Sequence, residues 1–112
     1  MLPARSRLTS SDDFRACVRG GLRVGRETLV IHALRTSSPP SRAGFVVSKA
    51  VGNAVTRNRV KRRLRHLAAS SFSSDAESSV DIVVRALPQA TTGDLAGDFR
   101  SAYATALTKL AA

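Results

Sequence analysis

The sequence predicts an α+β fold, a two-layer α/β sandwich with element order α-β-β-α-β-α. Three observations carry it. Apolar residues recur at helical spacing in three separate stretches. Three short apolar runs of strand length are bounded by Gly, Pro and Ser clusters. The 112 residues, 43% of them hydrophobic, suffice for one compact core, so 1–112 is read as one domain with residues 1–9 as a basic arm.

Met1 to Thr9 carries Arg5 and Arg7 around Pro3 and reads as an extended arm. Ser10, with Asp13 three residues on, matches a helix cap, and Asp12 and Asp13 suit the positive end of the helix that follows. That helix buries Phe14, Cys17 and Val18 and ends at Gly20-Gly21. Thr28 to Leu34 is a β-rich strand, Thr36 to Ser41 a loop, and Ala43 to Ser48 a second strand; the loop length suits a hairpin. Gly52 breaks the strand, Asn53 caps a second helix, and that helix runs to about Ala69. Ser70 to Ser79 is serine-rich and reads as a loop with at most one further helical turn. Val80 to Leu87 is a continuous apolar strand closed by Pro88. Leu95, Phe99, Ala102, Tyr103, Ala106 and Leu110 then form the apolar stripe of a last helix.

The charge is the strongest functional signal. The net charge is +10 at pH 7 with a pI near 11.6, and fifteen of the eighteen basic residues are Arg. Arg grips phosphate with a planar fork and stacks on bases, which Lys does not. Codon usage accounts for some of the arginine but not for the excess of one sign. From Lys49 to His66 there are seven Lys or Arg and no acid. At 100° per residue, Val60, Leu64, Leu67 and Ala68 share a buried stripe, whereas Asn58, Lys61, Arg62 and Arg65 gather on the opposite side. Arg59 and Arg63 line one flank, and Arg57 sits over the first turn. Like charges four residues apart cost a few tenths of a kcal/mol each in a free helix. A polyanion relieves that cost, and nucleic acid is the polyanion of choice.

Other chemistries find little support. Cys17 stands alone, so there is neither a disulfide framework nor a zinc cluster, and its helical spacing makes it a small core residue. His32 and His66 lack ligand-like spacing, and Asp12 and Asp13 serve a helix start. No run is long enough to span a bilayer and no signal-peptide core is present, so a soluble cytoplasmic protein is expected.

The run Lys49 to Arg65, with its Gly-Asn-Ala-Val-Thr-Arg-Asn-Arg-Val-Lys-Arg core, resembles the signature of the protein subunit of bacterial ribonuclease P. Arg7-Leu8 followed by Asp13-Phe14 and Gly20 resembles the opening segment of that family, and Asp81-Ile82-Val83-Val84-Arg85 before Pro88 its last strand. The resemblance implies a left-handed crossover between parallel strands through the Arg-rich helix, in a sandwich shared with a small-subunit ribosomal protein domain. It implies a catalytic RNA as partner and precursor tRNA as substrate, with no membrane and no obligate protein partner. The implied reaction would be hydrolytic removal of the 5′ leader, performed by the RNA and Mg²⁺ held through it, with no cofactor and no catalytic residue expected on the protein.

Carried over by position, Arg57, Asn58, Arg59, Lys61, Arg62 and Arg65 would be the RNA-docking surface. The family's cleft for the single-stranded leader would be lined by Phe14, Val18, His32 and Lys49. Val18 and His32 stand where relatives often carry aromatics; His32 can still stack, whereas Val18 offers an apolar wall. Phe14 is read equally as core. A structural RNA binder without a tRNA substrate and a DNA-binding module remain the alternatives, although neither heptads nor a second helix of a helix-turn-helix follows the basic helix.

Overall fold

Apolar side chains alternating along four strands build one sheet with two unlike faces. The structure, a computed structural model, describes residues 2–37, 39–74 and 79–111. A 3-10 turn at Ala4–Ser6 precedes α1 (Ser11–Gly20), β1 (Leu22–Gly25), β2 (Leu29–Arg35) and β3 (Arg42–Val46). Then come α2 (Ala54–Ser74), β4 (Val80–Ala86), a second 3-10 turn at Pro88–Thr91, and α3 (Leu95–Ala111). This is the expected α+β order with one strand added.

The sheet order is β1-β2-β4-β3. β1 and β4 both pair antiparallel with β2, while β3 and β4 run parallel, Gly44 aligned with Val83. The expected hairpin of β2 and β3 is therefore absent, because β4 lies between them. Loop length alone suggested that hairpin. What decides the pairing is that β4 is buried at every position but Arg85 and needs cover on both edges and both faces. α2 connects β3 to β4 across the sheet, the parallel crossover that the resemblance implies.

On one face Val24, Leu29, Ile31, Ala33, Ala43, Val80, Ile82 and Val84 meet α2 and α3 in the main core. α2 contributes Val60, Leu64 and Ala68; α3 contributes Leu95, Phe99, Ala102, Tyr103 and Ala106. The other face is covered only in part. There α1 lays Phe14, Cys17 and Val18 over Val83, Leu34 and Val46.

Three more expectations need correction. β1 was not foreseen, since four residues are too few to display alternation; its partner β2 supplies the pairing. The N-terminal segment is not an extended arm. Leu2 and Leu8 are buried, and the Leu8 amide donates to the Ala43 carbonyl (2.9 Å), so the segment straps the outer side of β3. Finally, the end of α2 moves from about Ala69 to Ser74, roughly the one further turn that the serine-rich stretch was expected to allow, because Phe72 packs against Tyr103 (ring centroids 6.1 Å) and outweighs the weak helix preference of serine. Of the rest of that stretch, residues 75–78 lie outside the described residues.

Candidate nucleic-acid interface

The turn before α2 is set by two small residues. Gly52 packs so closely on Thr56 that a β-carbon would meet its Cγ2 at 2.9 Å, and its φ is +157°. Asn53 then caps the helix, its Oδ1 accepting from the Thr56 amide (2.9 Å).

From there α2 presents three different columns. Asn58, Arg59, Arg62 and Arg63 are exposed, with Val55 among them at 67% exposure. Arg57, Lys61 and Arg65 form a half-buried column beside the core stripe, so the sequence grouping of Lys61 and Arg65 with the outer crest is only partly realised. The Arg57 Nε is buried and has no hydrogen-bond partner within the protein. Among the described residues the ion pairs are Arg15–Asp12, Arg42–Asp13 and Arg42–Asp81; none involves α2. Six cations on one helix thus stand without an ion-pair partner among the described residues.

Strand register assembles a second surface on the half-covered face. Arg23, His32, Val83 and Gly44 form one row across the sheet, and Val30, Arg85 and Val46 the next. The Phe14 ring lies on Gly44, two strand spacings (about 10 Å) from His32. Phe14 and Val18 also line an open groove of about 400 Å³ along α1 with Arg15 and Arg19. His32 is half-buried, with Nδ1 enclosed and without a hydrogen-bond partner. Burial, then the charges of Arg23 and Arg85, hold its pKa below the ordinary 6.5, so the ring is neutral at neutral pH. Lys49 is exposed in the turn after β3, where the Gly52 amide donates to its carbonyl (3.2 Å). The structure therefore joins Phe14 with Val18, sets His32 on the same sheet face, and puts Lys49 in the turn that follows β3.

What holds α1 in place was not read from the sequence. Arg42 forks onto Asp81 through Nε (2.9 Å) and Nη2 (2.7 Å) and reaches Asp13 on α1 through Nη1 (3.1 Å). Asp81 is 3% exposed. Beneath them the Cys17 thiol donates to the carbonyls of His32 (3.4 Å) and Asp81 (3.3 Å), and burial pushes its pKa up to about 11. Such a thiol is a packing group and not a nucleophile. Arg23 and Arg85 were also missed; only the pairing of β1, β2 and β4 brings them beside His32.

Among the described residues no three of His, Cys, Asp and Glu gather into a cation site, and no helix is long and apolar enough to cross a membrane. Both carboxylates nearest the half-covered face, Asp13 and Asp81, are engaged by Arg42.

Comparison with known proteins agrees with the sequence motifs. Residues 2–110 match the family model described as Ribonuclease P. The ribonuclease P protein component of Kocuria rhizophila is 53% identical over 114 residues, spanning 99% of this chain and 100% of that protein. Its counterpart from a Nocardioides species is 54% identical over 99 residues, covering 86% of this chain and 84% of its own length. Among solved structures, the RNase P protein of Staphylococcus aureus superposes with TM-score 0.71 at 25% identity, covering 94% of each chain. The Thermotoga maritima protein gives TM-score 0.64 at 25% identity, with 95% of this chain and 94% of that one covered.

Proposed function

The chain belongs to the ribonuclease P protein family, whose members are components of a tRNA-processing ribonucleoprotein, and from that premise we propose how this one works. It docks on the catalytic RNA through α2 and guides the 5′ leader of precursor tRNA along the half-covered sheet face. The observation that carries this reading is the run of cations on α2 without a single carboxylate partner among the described residues. Each phosphate that replaces condensed counterions there contributes to binding.

Arg57, Asn58, Arg59, Lys61, Arg62 and Arg65 make the docking surface, with guanidinium forks on phosphates and Asn58 as an uncharged donor and acceptor. On the sheet face Phe14 offers a ring to an unstacked base, Val18 an apolar wall, and neutral His32 a second, smaller stacking surface. Lys49 grips the backbone nearby. The RNA holds Mg²⁺, which supplies the hydrolytic chemistry, and the protein contributes positioning of the leader and neutralisation of charge. This work takes place in the cytoplasm.

The test is cleavage of a precursor tRNA by a bacterial ribonuclease P RNA at low, near-physiological Mg²⁺, with and without the protein. Strong stimulation at the mature 5′ end is expected. Tight RNA binding without stimulation would favour a purely structural RNA binder.

A further inference from the structure

α1 is only ten residues long, yet the chain is fixed at both of its ends. Just before it, the Leu8 amide donates to the Ala43 carbonyl (2.9 Å). Just after it, Gly21 packs so closely on the carbonyls of Ala33 and Cys17 that a β-carbon would overlap them. With both ends tied, the motion left to the helix is a roll about its own axis. That roll swings Phe14 and Val18 across the groove they line with Arg15 and Arg19. The Cys17 thiol donates to the sheet beneath, but a thiol is a weak donor and resists the roll poorly. An ion pair resists it better. Arg42 and Gly44 lie two residues apart on β3, so they face α1 together, about 7 Å from each other. Consecutive residues of α1 meet them, Asp13 on Arg42 and Phe14 on Gly44.

We propose that Arg42 is a positioning residue for the leader: pinned to β4 by Asp81, it holds Asp13 and so sets the roll of α1 that presents Phe14 and Val18 to an unstacked leader base. The proposal rests on the reading of the half-covered face as the path of the leader. It adds a residue that acts through α1 and not on the RNA itself.

The geometry is that of a bracket. Asp81 is buried, and its two oxygens accept from Nε and Nη2 of Arg42 (2.9 and 2.7 Å), which fixes the plane of the guanidinium. A planar fork pinned at two nitrogens has no freedom left in the third. Nη1 is therefore aimed at α1, where the Asp13 carboxylate accepts from it (3.1 Å). The two acids differ in burial, since Asp13 is half-buried and Asp81 closed off. The outer arm can thus be removed without stranding a buried charge, because Arg42 and Asp81 keep each other. Asp12, one residue earlier, shows an acid at the same helix start without this role. It is exposed and meets only Arg15 of its own helix (3.7 Å).

The experiment uses the protein assembled with a bacterial ribonuclease P RNA. Dissociation constants are measured for a precursor tRNA and for the same tRNA without its leader, and the ratio of the second to the first reads the leader alone. Asp13→Asn breaks the outer arm, whereas Asp12→Asn removes the same charge from the same helix start without touching Arg42. The ratio should fall about fivefold in Asp13→Asn, the low end of one lost base stack. It should hold its wild-type value in Asp12→Asn and recover at least in part in Asp13→Glu, which keeps the charge. Affinity for the leaderless tRNA should be the same throughout. Equal ratios in Asp13→Asn and the wild type would overturn the positioning role and leave the leader reading standing. So would equal losses in Asp12→Asn and Asp13→Asn, which trace to charge, or a loss shared by the leaderless tRNA, which traces to the fold. A wild-type ratio of about one would overturn the leader reading itself, and the proposal with it.

Discussion

Phe14 and Gly44 touch so closely that a β-carbon added to the glycine would lie 3.0 Å from Cζ and 3.1 Å from Cδ2 of the ring. The contact fixes the height of α1 above the sheet, and with it the width of the surface assigned to the leader. Gly44→Ala should cost about 1–3 kcal/mol of stability through overpacking, measured by urea unfolding. Combined with Phe14→Ala, the two changes should cost less than their sum. Additive costs would show that the ring does not constrain the glycine.

Arg42 is the second constraint on α1. Removing it strands the carboxylate of Asp81, which is 3% exposed, so Arg42→Met should lower stability by about 3 kcal/mol. Arg42→Lys should recover only part, because an ammonium cannot bridge both oxygens of Asp81 and still reach Asp13. Denaturation of the two variants checks this; a Lys variant as stable as the wild type would show that the fork geometry is unimportant.

The α2 segment was legible because its start, stripe and charge are all local: Gly52 and Asn53 mark the turn, and Val60 and Leu64 mark the buried side. α3 was legible for the same reason. Strand pairing was not, since nothing in the order of Leu29–Arg35, Arg42–Val46 and Val80–Ala86 says which strand takes the centre. The same long-range placement hid the cluster of Arg42, Asp13 and Asp81 and the flanking of His32 by Arg23 and Arg85. Leu2 and Leu8 sit in a segment whose arginines suggested solvent, and their burial depends on the outer side of β3 needing a neighbour.

His32 gives stability a pH dependence with a definite sign. Its folded pKa lies below the unfolded value near 6.5, so the folded protein binds fewer protons through that window. Stability should therefore fall as pH drops through 6.5 toward the folded value, and return as pH rises again. Unfolding free energies measured from about pH 7.5 to pH 5 should decline less for His32→Gln than for the wild type. Parallel declines would mean that the ring is not held neutral by its burial and by Arg23 and Arg85.

The claim that α2 carries the RNA is tested most directly by the salt dependence of ribonuclease P RNA binding to the wild type and to the Arg59→Ala/Arg62→Ala variant. Two lost phosphate contacts should lower the slope of log affinity against log salt by about 1.4–1.8, with weaker binding at every salt concentration. A slope equal to that of the wild type would contradict the account and move the RNA to another face of the protein.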